Sequence, residues 1–128
     1  MPKKILIIED NAEFRESTSE LLRAKGFEVL ESPDGKDGLS KARGESPDLI
    51  LLDVMMTSRT EGLDTAKKLK IDPATRGIPV VMLTGIRREM NLPFGLEADE
   101  QWLPVKAVLE KPVKPDTLLS TIHEALGG

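Results

Sequence analysis

Four short, continuous apolar runs punctuate the chain: Ile5-Leu6-Ile7-Ile8, Leu49-Ile50-Leu51-Leu52, Val80-Val81-Met82-Leu83 and Ala107-Val108-Leu109. A weaker run, Phe27-Glu28-Val29-Leu30, lies between the first two. The four main runs do not alternate apolar with polar residues. Such runs suit strands of a parallel sheet that is covered on both faces.

Helical periodicity fills the intervals. From Asn11 to Lys25, the positions Phe14, Thr18, Leu21 and Leu22 recur at i, i+4, i+7 and i+8, which is one face of a helix. Asp10 or Asn11 caps its start, and Gly26 supplies a left-handed residue past its end. Residues 34–43 form a weaker, glycine-containing helix, and Leu63, Ala66 and Leu69 mark a third. The last helix carries Leu118, Leu119, Ile122, Ala125 and Leu126 on one face, behind Pro112-Val113-Lys114-Pro115-Asp116. The order reads β-α-β-α-β-α-β-(irregular)-β-α. Strands alternating with helices imply right-handed crossovers and a parallel α/β sheet. Residues 86–106 are the exception. Pro93, Gly95 and Pro104 interrupt them, so they form no single long helix, although a short one around Leu96–Trp102 fits. An irregular stretch of that length in a small domain points to a functional segment.

Composition narrows the class. A chain of 128 residues suits one domain, residues 1–128. It has no cysteine, which excludes disulfides, thiol catalysis and thiolate metal sites. Tyrosine is also absent, and the aromatic residues are Phe14, Phe27, Phe94 and Trp102, so the core is aliphatic. With 18 basic and 22 acidic side chains, the net charge of −4 gives no general attraction to nucleic acid or to an anionic membrane. Apolar runs of four residues are far too short to span a bilayer, and the first residues contain no signal-peptide core. A cytoplasmic protein is the expectation.

Parallel α/β sheets place ligand sites at the carboxyl ends of their strands. The residues that follow the apolar runs are Glu9-Asp10, Asp53, Thr84-Gly85 and Glu110-Lys111-Pro112. Taken singly, each has an ordinary reading. Glu9-Asp10 caps a helix, Asp53 opens a turn, Thr84-Gly85 leaves a strand and Lys111 is solvated. Their joint placement is not ordinary. Three carboxylates at one sheet edge repel each other unless a cation binds. Oxygen ligands select a hard cation, and Mg2+ suits a site that offers few protein ligands. A metal among carboxylates, with a hydroxyl and an amine opposite, is an arrangement for phosphoryl transfer in which one carboxylate can be the nucleophile.

With these residues in place, the chain resembles a response regulator receiver domain of two-component signalling. The resemblance rests on Ile7-Ile8-Glu9-Asp10-Asn11, Leu51-Leu52-Asp53-Val54-Met55-Met56, Val81-Met82-Leu83-Thr84-Gly85 and Leu109-Glu110-Lys111-Pro112. It covers essentially the whole chain, with four motifs in order. It implies a flavodoxin-like (βα)5 three-layer sandwich with strand order 2-1-3-4-5 and an irregular fourth helix region. It implies that Asp53 accepts a phosphoryl group from a sensor histidine kinase or phosphotransfer protein, in a Mg2+-dependent reaction. Asp10 would ligate Mg2+ directly, Glu9 through water, and Asp53 and the Met55 carbonyl would complete the set. Thr84 would be the switch hydroxyl and Lys111 the partner of the phosphoryl group. Pro112 matches a position whose preceding peptide bond is usually cis. Output would be altered binding of a downstream protein through the face around the fifth strand and last helix. A phosphorylation-dependent homodimer is one form of that output. Neither turnover of a small substrate nor direct nucleic-acid or membrane binding is implied.

The sequence departs from the family pattern in three places. Thr57 stands where a proline is usual, and Gly62 lies nine residues past Asp53 instead of eight, so the Thr57–Glu61 loop is one residue longer. Val108, three residues before Lys111, replaces the usual switch aromatic. The stretch between Thr84 and Lys111 is long and broken by prolines, and it contains Phe94 and Trp102, which we expect to pack the output surface. Met55 and Ile86 occupy positions that tune hydrolysis in the family. Both are apolar, so neither orients a water, and a long-lived aspartyl phosphate is expected. Met55 and Met56 are expected to pack under the phosphorylation loop. His123 is read as a structural or surface residue and Lys67-Lys68-Lys70 as a solvated helix face. Two other readings compete. An aspartate-nucleophile phosphohydrolase would normally carry a second acid two residues after Asp53, where Met55 stands. A phosphorylation-independent pseudo-receiver would not need the complete set of acids, threonine and lysine. A dinucleotide-binding domain fails because no G-x-G-x-x-G follows the first strand.

Overall fold

The apolar runs become the strands of one sheet: β1 (Lys4–Ile8), β2 (Glu28–Ser32), β3 (Leu49–Asp53), β4 (Val80–Thr84) and β5 (Ala107–Glu110). The computed structural model describes residues 2–53, 61–84, 106–111 and 113–127. All pairings are parallel, in the order β2-β1-β3-β4-β5. Among the described residues there are four helices: α1 (Ala12–Ala24), α2 (Gly35–Glu45), α3 (Glu61–Ile71) and α4 (Pro115–Ala125). The short helix expected around Leu96–Trp102 lies outside the described residues, as do Phe94 and Pro112.

Two separate cores explain why the runs are continuous. Leu6, Ile8, Ile50, Leu52, Val80 and Met82 face one side, where they pack with Leu39 and Ala42 of α2 and with Ala66 and Leu69 of α3. Ile5, Ile7, Leu49, Leu51 and Val81 face the other side, with Leu22 of α1 and with Leu118 and Ile122 of α4. Alternation along each strand sends successive side chains to opposite layers, so every position in a central strand is apolar. β2 lies at the edge and follows a mixed pattern, with Glu28 exposed and Val29 buried.

Local signals set the helix ends. Asn11 is the N-cap of α1, and its side chain accepts a hydrogen bond from the Phe14 N–H at 2.9 Å. At the other end Gly26 adopts φ +92°, where a side chain would be strained. The Gly26 N–H donates to the Arg23 carbonyl and the Phe27 N–H to the Leu22 carbonyl. Phe27 is thereby committed to closing α1, which is why β2 begins at Glu28 and not, as the apolar run suggested, at Phe27. Asp34 caps α2 by accepting from the Asp37 N–H at 2.8 Å.

Two glycines let α2 lie close to its neighbours. A Cβ at Gly35 would sit 2.2 Å from Thr65 Oγ1 of α3, and one at Gly38 would sit 2.4 Å from Ile8 Cδ1 of β1. Gly62, placed beyond a loop in the sequence reading, falls in the first turn of α3.

Candidate functional site

β1 and β3 lie side by side, with Ile8 opposite Leu52, so Glu9 and Asp53 leave the sheet together. The Asn11 cap starts α1 immediately beyond and holds Asp10 at the same rim. Oxygens of Glu9, Asp10 and Asp53 lie within 4.8 Å of one another. Glu9 and Asp53 are buried, while Asp10 is exposed. The Glu9 backbone is tied on both sides. Its N–H donates to the Ser32 carbonyl at 2.9 Å, and its carbonyl accepts from Arg15 Nη1 at 2.7 Å.

Lys111 follows the edge strand β5 and reaches across to these acids. Its Nζ donates to Glu9 Oε1 at 2.6 Å and lies 3.6 Å from Asp53 Oδ1. The same ammonium sits 4.2 Å from the centre of the Phe14 ring, within cation–π range. Thr84 closes β4 beside Asp53 and Glu110, in register with Leu83 opposite Asp53 and Thr84 opposite Glu110. Val108, in the place of the usual aromatic, packs half-buried against the core shared with α2 and α3.

The electrostatics of this group are uneven. Burial first, and then a hydrogen bond shared with the Asp53 carboxyl, push the Glu9 carboxyl from 4.5 up to about 7, against the opposing pull of Lys111. A single lysine therefore does not neutralise the two buried acids. A carboxylate pair short of positive charge, with a third carboxylate at its rim, is a donor set that fits a hard divalent cation such as Mg2+.

The structure brings Glu9, Asp10, Asp53 and Lys111 together as the sequence placed them. It positions Thr84 on the same edge through its backbone. Met55, expected to offer its carbonyl, lies outside the described residues, as do Met56, Thr57 and Ile86. Sequence reasoning missed two contributors. It read Phe14 only as a core position of α1, and it did not single out Arg15. Both sit in the first turn after the acid pair, which was the available signal. His123 is exposed on α4, with its ring 5.9 Å from that of Phe27. No helix among the described residues is long and apolar enough to cross a membrane.

Comparison with known proteins agrees with this architecture. The family model for the response regulator receiver domain matches residues 5–123. The chain is 32% identical to the polar-differentiation response regulator DivK of Brucella anthropi, over 99% of this chain and 98% of that protein. It is likewise 32% identical to the protein PilH of Pseudomonas aeruginosa, over 98% of each. Among solved structures, a CheY-like receiver domain protein from Methanospirillum hungatei superposes with a TM-score of 0.82 at 29% identity, covering 98% of this chain and 94% of that one. The chemotaxis protein CheY4 of Vibrio cholerae gives 0.81 at 26% identity, covering 98% and 99%. The five-stranded parallel sheet in the order β2-β1-β3-β4-β5 is the flavodoxin-like fold that these matches share: the chain belongs to the response regulator receiver domain family.

Proposed function

We infer that the protein relays a phosphoryl signal through Asp53. The observation that carries this reading is the convergence of Glu9, Asp10 and Asp53 with the Lys111 ammonium, 2.6 Å from Glu9 and 3.6 Å from Asp53. A carboxylate oxygen of Asp53 attacks the phosphorus of a phosphohistidine presented by a histidine kinase or phosphotransfer protein. The phosphorus–nitrogen bond breaks and its electron pair stays on the imidazole. Asp10 and Asp53 would hold Mg2+, with Glu9 acting through water and the carbonyl of Met55 as a further ligand, and the ion would offset charge on the transferring oxygens. Lys111 exchanges its Glu9 contact for a phosphoryl oxygen, and the Thr84 hydroxyl supplies a second contact. A cation and a hydroxyl directed at developing charge lower the barrier without covalent participation. Residues 1–128 act in the cytoplasm as one receiver unit. Output is a change in partner binding at the face formed by β5 and α4.

Exposure to acetyl phosphate with Mg2+, read by intact mass, tests this reading. One added phosphoryl group that is lost in Asp53→Asn supports it. Steady phosphate release from many small esters would indicate a phosphohydrolase instead, and neither an adduct nor Mg2+ binding would indicate a pseudo-receiver. Because Met55 and Ile86 cannot orient a water, the adduct decays slowly in purified protein. Rapid loss without a phosphatase would refute that part.

A further inference from the structure

The opposite end of the sheet carries a second concave feature, away from the acidic cluster. It lies at the amino ends of β4 and β5, under the last turn of α3. Its cavity measures about 240 Å³. Leu69 of α3, Ile78 and Val80 at the start of β4 form an apolar floor. Lys70, Arg76 and Lys106 form the rim, and all three are exposed. Among the described residues, no carboxylate pairs with any of these cations. The nearby acid Asp72 is engaged by Arg43 from α2. The wall is rigidly built. The Thr75 hydroxyl, buried, donates to the Leu69 carbonyl at 2.6 Å, and the N–H groups of Arg76 and Ile78 donate to the Asp72 and Thr75 carbonyls.

The patch stands out against the rest of the chain. On a protein of net charge −4, three cations with no carboxylate partner among the described residues share one depression with a low-dielectric floor. A cleft of that kind concentrates its positive potential instead of dissipating it in solvent. Concave, mostly apolar sites with a few convergent polar groups are the usual form of small-ligand sites. At about 240 Å³ the cavity lies just below the roughly 300–1,000 Å³ of drug-sized sites, too tight for a nucleotide and adequate for a ring or short alkyl body. The planar guanidinium of Arg76 suits bidentate contact with a phosphate or carboxylate, and the two lysines add point charge.

We propose that this cavity binds a small organic anion, a phosphomonoester or dicarboxylate on a compact apolar body, with Lys70, Arg76 and Lys106 holding the charged group and Leu69, Ile78 and Val80 receiving the body. Asp53 ends its strand at the far edge, about 15 Å away along a strand of this length. The ligand therefore occupies a site separate from that of phosphoryl transfer. It binds whether or not Asp53 accepts a phosphoryl group.

Phenylphosphonate is a suitable probe, because its carbon–phosphorus bond cannot donate a phosphoryl group. It is titrated without Mg2+ into the full chain, and backbone amide shifts are followed by NMR. Saturable shifts at Thr75–Val80 and Lys106 are expected, and they weaken as salt rises. Substituting all three rim cations with alanine should raise the dissociation constant by about tenfold or more, the loss of two or so charge-assisted contacts. These side chains are exposed, so the variant folds, as unchanged amide dispersion elsewhere would verify. Inorganic phosphate, lacking the apolar body, should bind more weakly. Shifts centred on Glu9, Asp53 and Lys111, equal binding by the alanine variant, equal affinity for inorganic phosphate or no saturable shift would each overturn the proposal.

Discussion

Replacing Glu9 with glutamine should change the pH dependence of folding in a way that isolates one cluster of groups. Glu9 is 1% exposed, and its carboxyl is pushed from 4.5 to about 7 by burial and by Asp53. Its folded-state value lies above its unfolded one. The native protein therefore holds a proton that the unfolded chain releases, and stability falls as pH rises from about 4.5 to about 7. Below that window Glu9 costs nothing, because it is protonated in both states. Above it the penalty is constant. A rise of that size corresponds to about 3 kcal/mol at most. Glutamine mimics the protonated acid, and its amide oxygen can still accept from Lys111. Wild type and Glu9→Gln should thus be about equally stable at the acid end of the window. The variant should gain steadily through it and lead by up to about 3 kcal/mol above it. Urea unfolding followed by circular dichroism, in chelator and at several pH values, measures this directly. Groups away from the cluster contribute equally to both proteins, so the difference curve belongs to Glu9 together with the Asp53 and Lys111 side chains it touches. Parallel curves for the two proteins would refute the reasoning, and so would a variant that loses ground as pH rises.

Four further substitutions have definite expected outcomes. Lys111→Met leaves Glu9 and Asp53 without their shared cation and should cost roughly 2 kcal/mol near neutral pH, below the ~3–5 of fully buried pairs because the Lys111 side chain keeps 23% of its exposure. Added Mg2+ should restore part of that loss in thermal melts, since it binds only the folded cluster. Gly38→Ala drives a Cβ to 2.4 Å from Ile8 Cδ1 and should destabilise by about 1–2 kcal/mol in urea despite its helical preference. Gly44→Ala, in the same helix with open space around it, should instead stabilise by up to about 1 kcal/mol. Asn11→Ala removes the acceptor for the Phe14 N–H and should cost about 1 kcal/mol, read as a lower urea midpoint with an unchanged slope.

The strands were legible because burial on both faces leaves a continuous apolar record, as in Leu49-Ile50-Leu51-Leu52. Their order followed from the family resemblance and not from the runs themselves. α2 was only weakly legible because the helix is selected for proximity. Gly35 and Gly38 permit close contact with Thr65 and Ile8, at the expense of the periodic apolar signal. The end of α2 carried no signal, since Ser46 takes a left-handed conformation (φ 48°) that glycine would normally supply. At the site, Glu9, Asp10, Asp53 and Lys111 were legible because topology alone delivers strand ends to one edge. The Phe14–Lys111 contact was not, because it joins residues 97 positions apart and depends on where a long side chain comes to rest. The Arg15 bond to the Glu9 carbonyl escaped for a similar reason: nothing in the sequence marks which backbone carbonyl a side chain will reach.

Among the described residues, the sheet separates two cores that share no side chain. Leu6 and Ile8 serve the layer of α2 and α3, while Ile5 and Ile7 serve that of α1 and α4. In evolutionary terms the two outer layers are separate modules. A packing change under α4 meets the side chains of its own layer and not those under α2. A lineage can therefore redesign the α1–α4 flank for a new partner while the α2–α3 flank keeps the old sequence. Drift in the two flanks should be uncorrelated, with the strands themselves the slowest positions to change.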